Sequence, residues 1–333
     1  MNEHAVGIDV SKKKLDVCIA SESQFKSKVF PNTANGHALL LQWLSRRDLA
    51  KDTPIVLEAT GPYSDAVATA LADNGRYVSI VNPARVKGFG QSQLTRNKTD
   101  KADAKLLALF AQRSDLTRWQ PPSLAARKLR ALIDRLQALQ DMRQQERNRL
   151  EALSQGITSS VKTMVEEHID WLNRQIAAIE KDINNHIDGN PELKKDAELI
   201  RSIPGCGVKF AAQFLAYIGD ARRFKSAKAL AAFVGVTPKY RLSGTSVKGR
   251  TIISRAGHTA ARKALYMPGL VAKRHNPVIA AMAKRLEARG MTPKAIVGAS
   301  MRRLIHMIYG VLKSETQFNA EIPMRGLAIQ DGI

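Results

Sequence analysis

Val6-Gly7-Ile8-Asp9-Val10-Ser11 alternates apolar residues with the period of a strand and places a carboxylate at its end. Lys12-Lys13-Lys14 follows, and then a second alternating run carries Leu15, Val17 and Ile19. The spacing predicts a hairpin. A buried strand that finishes on Asp9 holds that carboxylate at the rim of a sheet, where it reaches a ligand or metal with little loss of entropy.

Working outward, Lys28-Val29-Phe30 is a candidate third strand closed by Pro31, and residues 36–47 form a helix with Leu39, Leu40, Trp43 and Leu44 on one face. Pro54-Ile55-Val56-Leu57-Glu58 is a short apolar run that again ends on an acid. Gly61-Pro62 breaks it, and a helix carrying Ala66, Val67, Ala70 and Leu71 runs to Asn74-Gly75. Residues 77–81 read as the last strand, ended by Asn82-Pro83, and residues 99–113 as a helix that buries Leu106, Leu107, Leu109 and Phe110. Three strands, a helix, then strand, helix, strand, helix is an α/β order with a mixed sheet. It matches a ribonuclease-H-like domain.

Trp119-Gln120-Pro121-Pro122 reads as a linker. Beyond it Leu129, Leu132, Leu136 and Leu139, then Val165, Ile169, Leu172, Ile176, Ile179 and Ile183, step by three and four. That spacing belongs to an antiparallel helical pair or an intermolecular coiled coil. Asp188-Gly189-Asn190-Pro191 ends it. Ser202-Ile203-Pro204-Gly205-Cys206-Gly207 then joins two helices in the manner of a hairpin that offers backbone N–H groups to a DNA phosphate, with Lys209 beside it. Residues 237–257 read as a loop, followed by helices at 261–271, 279–288 and 293–312. The fold class is α/β plus all-α, with domains at residues 1–118, 119–195 and 196–333.

The 333 residues are 44% apolar and 25% charged, with a net charge of +22. Residues 111–200 carry 14 basic and 14 acidic side chains, whereas residues 201–333 carry 23 and 5. A field so concentrated attracts polyanions, and nucleic acid is the expected partner rather than a membrane. Cys18 and Cys206 stand far apart, the seven histidines show no metal-ligand spacing, and no apolar run suggests a signal peptide or membrane span. A cytosolic protein is the expectation.

Asp100 and Asp103, three apart at a helix start, project from one face. Taken alone they are adequately explained as first-turn acids that stabilise a helix. Their company changes the reading, because Asp9 and Glu58 both close apolar strands. In a ribonuclease-H-like order those strands are neighbours and the last helix crosses their ends, so four carboxylates cluster and repel unless cations bind. Mg²⁺ takes oxygen ligands and leaves positions for phosphate, which leads to two-metal phosphodiester chemistry.

A second candidate is Arg241-Leu242-Ser243-Gly244-Thr245-Ser246-Val247-Lys248-Gly249-Arg250. Among Arg241, Lys248, Arg250 and Arg255, a hydroxyl in this stretch either attacks a phosphate or merely belongs to a basic loop that contacts the DNA backbone. No histidine or acid stands beside it as a base, and residue chemistry does not rank Ser243, Thr245 and Ser246. Asp16 and Asp65 read as solvated, and Asn97 and Lys98 as helix-entry residues that are also placed to touch substrate. His258 reads as either a phosphate contact or a cap.

Together these stretches resemble the transposases of the insertion-sequence one-ten family, also called bridge recombinases. The resemblance runs nearly the whole chain. It is carried by Gly7-Ile8-Asp9-Val10-Ser11 with Lys14-Leu15-Asp16-Val17, by Glu58-Ala59-Thr60-Gly61-Pro62-Tyr63, by Asn82-Pro83, and by Arg96-Asn97-Lys98-Thr99-Asp100-Lys101-Ala102-Asp103-Ala104. Ser202-Ile203-Pro204-Gly205, Ala232-Phe233-Val234-Gly235-Val236-Thr237-Pro238, Ser243-Gly244-Thr245-Ser246 and Ala264-Leu265-Tyr266-Met267-Pro268 extend it.

The resemblance implies an N-terminal RuvC-like domain whose Asp9, Glu58, Asp100 and Asp103 bind Mg²⁺, a coiled coil for assembly, and a C-terminal transposase domain whose catalytic serine is Ser243. It further implies attachment of cleaved DNA to that serine, a structured bridge RNA as guide to donor and target DNA, and a homo-oligomer, dimer or tetramer. Such a protein works in the bacterial cytosol at the nucleoid. The alternatives are a RuvC-type junction nuclease, in which the basic third only binds, and a non-catalytic nucleic-acid scaffold. A sugar-kinase or actin-like ATPase shares the opening Gly-Ile-Asp-Val but lacks the later glycine-rich motifs here.

Overall fold

The computed structural model describes residues 3–22, 24–47, 49–59, 61–93, 99–153, 159–243, 247–254 and 256–321. They form two compact units, residues 1–121 and 122–333.

The first unit opens with β1 (His4–Val10), β2 (Lys14–Ser21) and β3 (Gln24–Pro31), then α1 (Ala34–Ser45), β4 (Ile55–Glu58), α2 (Pro62–Asp73), β5 (Val78–Val81), α3 (Pro83–Ser92) and α4 (Asp100–Arg113). The sheet order is β3-β2-β1-β4-β5. The first hairpins are antiparallel, whereas β1 runs parallel to β4 and β4 to β5. Strand alternation divides the side chains between two faces. On one face Val6, Ile8, Leu15, Val17 and Ile19 bury against Leu40 and Leu44 of α1 and Val67 and Leu71 of α2. On the other, Ala5, Val56 and Val81 meet Leu107 and Phe110 of α4, and Cys18 and Ala20 meet Ala104 and Ala108.

This second face is made of small residues, and Gly7 sets how near α4 lies. A Cβ at Gly7 would stand 2.2 Å from the Ala104 carbonyl oxygen and 2.3 Å from the Ala108 nitrogen. Only glycine admits the helix backbone so closely.

The second unit begins with two long helices, α5 (Leu124–Ala152) and α6 (Ser159–Asp188). They are antiparallel, since His186 bonds the Ala125 carbonyl at one end and Arg143 donates to Asn173 nearer the other. Helices α7 (Pro191–Arg201), α8 (Val208–Ile218) and α9 (Ala227–Val234) follow, then β6 (Pro238–Ser243), β7 (Val247–Ile253), α10 (Thr259–His275), α11 (Pro277–Ala288) and α12 (Pro293–Ser314). One core runs from Leu129 and Leu172 of the helical pair through Ile200, Phe214 and Leu265 to Leu304 and Ile308. Helix α12 alone among the described residues is long and apolar enough to cross a membrane, and 67% of its apolar window is buried within this core.

Two expectations need correction. The sequence passes over α3, whose Asn82 caps its own helix by accepting from the Ala84 N–H at 2.8 Å with Pro83 in the first turn. A strand-ending Asn-Pro read as a stop is here also a helix start. Residues 237–257, read as a loop, instead contain the antiparallel pair β6–β7. The pairing shifts register between Lys239 and Arg241, and such an irregularity breaks the two-residue period that identifies strands.

Candidate carboxylate site on the N-terminal sheet

The site begins with strand parity. Ala5 and Gly7 face α4, so Asp9 at the end of β1 belongs to the same face. Asp9 pairs in register with Asp16 of β2, whose neighbours Cys18 and Ala20 also face α4. Glu58 ends β4 two positions after Val56 and therefore shares that face. Helix α4 enters above the same strand ends, with Asp100 and Asp103 in its first turn. Thr99 caps it, its hydroxyl oxygen accepting from the Ala102 N–H at 3.2 Å. Acids at this end of a helix interact favourably with its dipole.

Carboxylate oxygens of Asp9, Asp16 and Asp100 lie within 4.8 Å of one another. Burial, together with the charges of Asp103, Asp100, Asp16 and Glu58, pushes the Asp9 carboxyl up to about 6. All four acids singled out in the sequence are therefore electrostatic neighbours. Asp16, read from sequence as solvated, is instead a fifth member, only 7% exposed. Its signal was available: if Leu15, Val17 and Ile19 face one core, Asp16 must face the other, opposite Asp9.

One cation is present. The Lys14 ammonium lies 3.0 Å from Asp16 and 2.8 Å from Asp100. Its hydrogen bonds to Asp100 and Asp16 raise the Lys14 pKa and hold Asp100 below the usual carboxylate range. The turn under Lys14 is fixed. Ser11 donates its N–H and its hydroxyl to the Lys14 carbonyl at 3.0 and 2.9 Å, and Asn32 donates to the Ser11 carbonyl at 3.0 Å. A hard, all-oxygen donor set that already accepts an ammonium fits a divalent ion such as Mg²⁺.

The other candidates lie in the second unit. Ser243 is the last residue of β6 and pairs with Val247, while Arg241 pairs with Gly249 and Leu242 with Lys248. The side chains of Arg241, Ser243, Lys248 and Arg250 lie outside the described structure, as do all of Arg255, Thr245, Ser246, Asn97 and Lys98. The β6–β7 pairing nevertheless places Ser243 at the tip of a hairpin with Arg241 and Lys248 in its strands. Lys209 pairs with Glu180 at 2.7 Å. In the turn before α8, Gly205 has φ of 104° and a Cβ there would stand 2.7 Å from the Ala272 Cβ, so that turn packs on α10. His258 caps α10, its Nδ1 accepting from the Ala261 N–H at 3.2 Å.

Comparison with known proteins bears on the whole chain. Residues 6–158 match a family described as a transposase, and residues 197–284 match the transposase IS116/IS110/IS902 family. The pilin gene-inverting protein of Moraxella lacunata is 32% identical over 324 residues, covering 97% of this chain and 99% of its own. The transposase for insertion sequence element IS1111A of Coxiella burnetii is 24% identical over 266 residues, covering 72% of this chain and 70% of its own. T. thermophilus RuvC in complex with a Holliday junction substrate aligns with 35% of this chain and 99% of its own, at 15% identity and a TM-score of 0.28. The two family matches define the class as transposases. Within it, this chain belongs to the IS116/IS110/IS902 family of transposases.

Proposed function

We propose that this transposase cuts and exchanges DNA strands with a ribonuclease-H-like, RuvC-type acid site in its first unit and the Ser243 hydroxyl in its second. The observation that carries the reading is the cluster of Asp9, Asp16 and Asp100 oxygens within 4.8 Å, with the charges of Asp103 and Glu58 also acting on Asp9. Asp9, Glu58, Asp100 and Asp103 are the residues that would hold Mg²⁺, which when bound neutralises phosphate charge and stabilises the leaving oxygen.

In the proposed step the Ser243 oxygen attacks a DNA phosphorus. An O–P bond to serine forms, the P–O bond to the adjoining nucleotide breaks, and that oxygen leaves with a proton. A free hydroxyl of the partner strand then attacks the phosphoserine and regenerates the serine, so no external energy source is required. The serine proton passes to a carboxylate of the partner subunit's acid site, the base that the hairpin sequence itself lacks. Arg241, Lys248, Arg250, Arg255 and Lys209 bind the phosphate backbone. The donor and target sequences are selected by a bridge RNA, and the protein acts as a homo-oligomer assembled through α5 and α6, in domains at residues 1–118, 119–195 and 196–333.

The test is a denaturing gel of full-length protein incubated with Mg²⁺, element-end DNA and its flanking transcript. A covalent protein–DNA band is expected, absent from Ser243→Ala and from protein stripped of RNA. Cleavage by Ser243→Ala at the wild-type rate would leave hydrolysis by the acids alone, the junction-nuclease reading. Cleavage undiminished after ribonuclease treatment would remove the RNA guide.

A further inference from the structure

The geometry points to Lys14 as a built-in counter-ion of the carboxylate cluster: its ammonium joins Asp16 to Asp100, and its charge competes with a divalent cation for those carboxylates. This rests on the metal reading proposed above and concerns a residue to which that reading gives no part.

Placement is the first argument. An exposed lysine on a flexible turn makes interchangeable surface pairs of little energetic weight. Lys14 differs in that its backbone is held and one of its two acceptors is buried, although its own side chain and that of Asp100 are half-exposed. Its backbone is clamped by three hydrogen bonds to Ser11, the third being its own N–H donated to the serine oxygen at 3.2 Å. Ser11 is in turn held by Asn32, which His37 contacts at 2.8 Å. One of its two acceptors, Asp16, has a side chain only 10% exposed in the middle of the cluster. Lys12, Lys13 and Lys14 of this turn are all exposed; what sets Lys14 apart is its two carboxylate contacts.

Charge is the second argument. Asp9, Asp16 and Asp100 crowd their oxygens within 4.8 Å, and like charges so close repel unless a proton or a cation is shared among them. The ammonium at 2.8 and 3.0 Å from two of the three supplies one. A divalent ion bound at about 2 Å to either oxygen of these carboxylates would feel the charge of an ammonium hydrogen-bonded to the same group. The two cations therefore compete for the charge of Asp100, and the lysine contact ties α4 to the β1–β2 hairpin.

Isothermal titration of the full-length protein with Mn²⁺, followed by thermal unfolding with and without the ion, tests this. Lys14→Met removes the charge and keeps the stem, and Lys14→Gln is a second neutral variant should the first fold poorly. Both should bind Mn²⁺ about three- to tenfold more tightly than wild type, as expected when a competing surface cation is removed. Without metal they should melt lower than wild type, and saturation with Mn²⁺ should close that gap. Lys14→Arg retains the competitor and should stay near wild-type affinity. Equal or weaker Mn²⁺ binding by the neutral variants overturns the inference while leaving the metal reading intact. No Mn²⁺ binding by any form, wild type included, overturns both.

Discussion

Asp9 is the residue around which the carboxylates of the first unit gather, and its environment carries a measurable consequence. Burial and four neighbouring carboxylates raise its pKa to about 6, above the ordinary 3.8, so in the metal-free protein it keeps a proton that the unfolded chain has lost. The folded state binds more protons than the unfolded state between those values. Stability of the metal-free protein should therefore fall as pH rises from about 4 to about 6, and Asp9→Asn should flatten that part of the curve and melt higher than wild type at pH 7.5. Asp100 acts in the opposite sense, since its Lys14 partner lowers its pKa and its contribution is lost on acidification. Thermal melts across pH in chelator measure this; an unchanged slope in Asp9→Asn would show that Asp9 does not carry the strain. Because metal ligation needs the ionised carboxylate, ion binding by wild type should strengthen through the same window.

Between elements, the decisive contact is α4 on β1. The helix brings Asp100 and Asp103 to Asp9 only because Gly7, Cys18, Ala20, Ala104 and Ala108 leave room for two backbones to meet. Any side chain at Gly7 collides with backbone atoms, which cannot rotate away. Gly7→Ala should cost about 1–3 kcal/mol in denaturant unfolding of the first unit, the usual penalty of overpacking, and should weaken Mn²⁺ binding by lifting the first turn of α4 off the sheet. A variant with wild-type stability and metal affinity would mean that α4 lies further away than this contact requires. The order of strands and helices was legible in the chain because each core-facing element keeps its period. Helix α3 and the β6–β7 pair were not, since one is capped by residues that also end strands and the other carries a register shift.

Across the molecule, charge and cores are partitioned. The described cores of the first unit draw on residues before 122, and the large core of the second unit on residues after it. Of the net +22, residues 201–333 supply 23 basic against 5 acidic side chains, while the carboxylate site sits in the first unit. Affinity for DNA should accordingly fall steeply with salt, as counterions are released from phosphates held by the second unit. Neutralising Arg241, Lys248 and Arg250 together should flatten the log–log slope of binding against salt by about 2–3, whereas Asp9→Asn should leave that slope unchanged. Filter binding at several salt concentrations reads both. An unaltered slope in the triple variant would place the DNA elsewhere.

What the chain determined by itself was local and periodic: which residues alternate, which step by three and four, which acids end strands or open a helix, and where positive charge accumulates. Those properties depend on neighbours in sequence and survive without knowledge of the fold. The tertiary structure alone decided how close the acids stand and that Lys14 is already among them. Each of these depends on strand register and on the approach of a helix some 90 residues away in the chain, whose distance from the sheet is set by the missing side chain of Gly7.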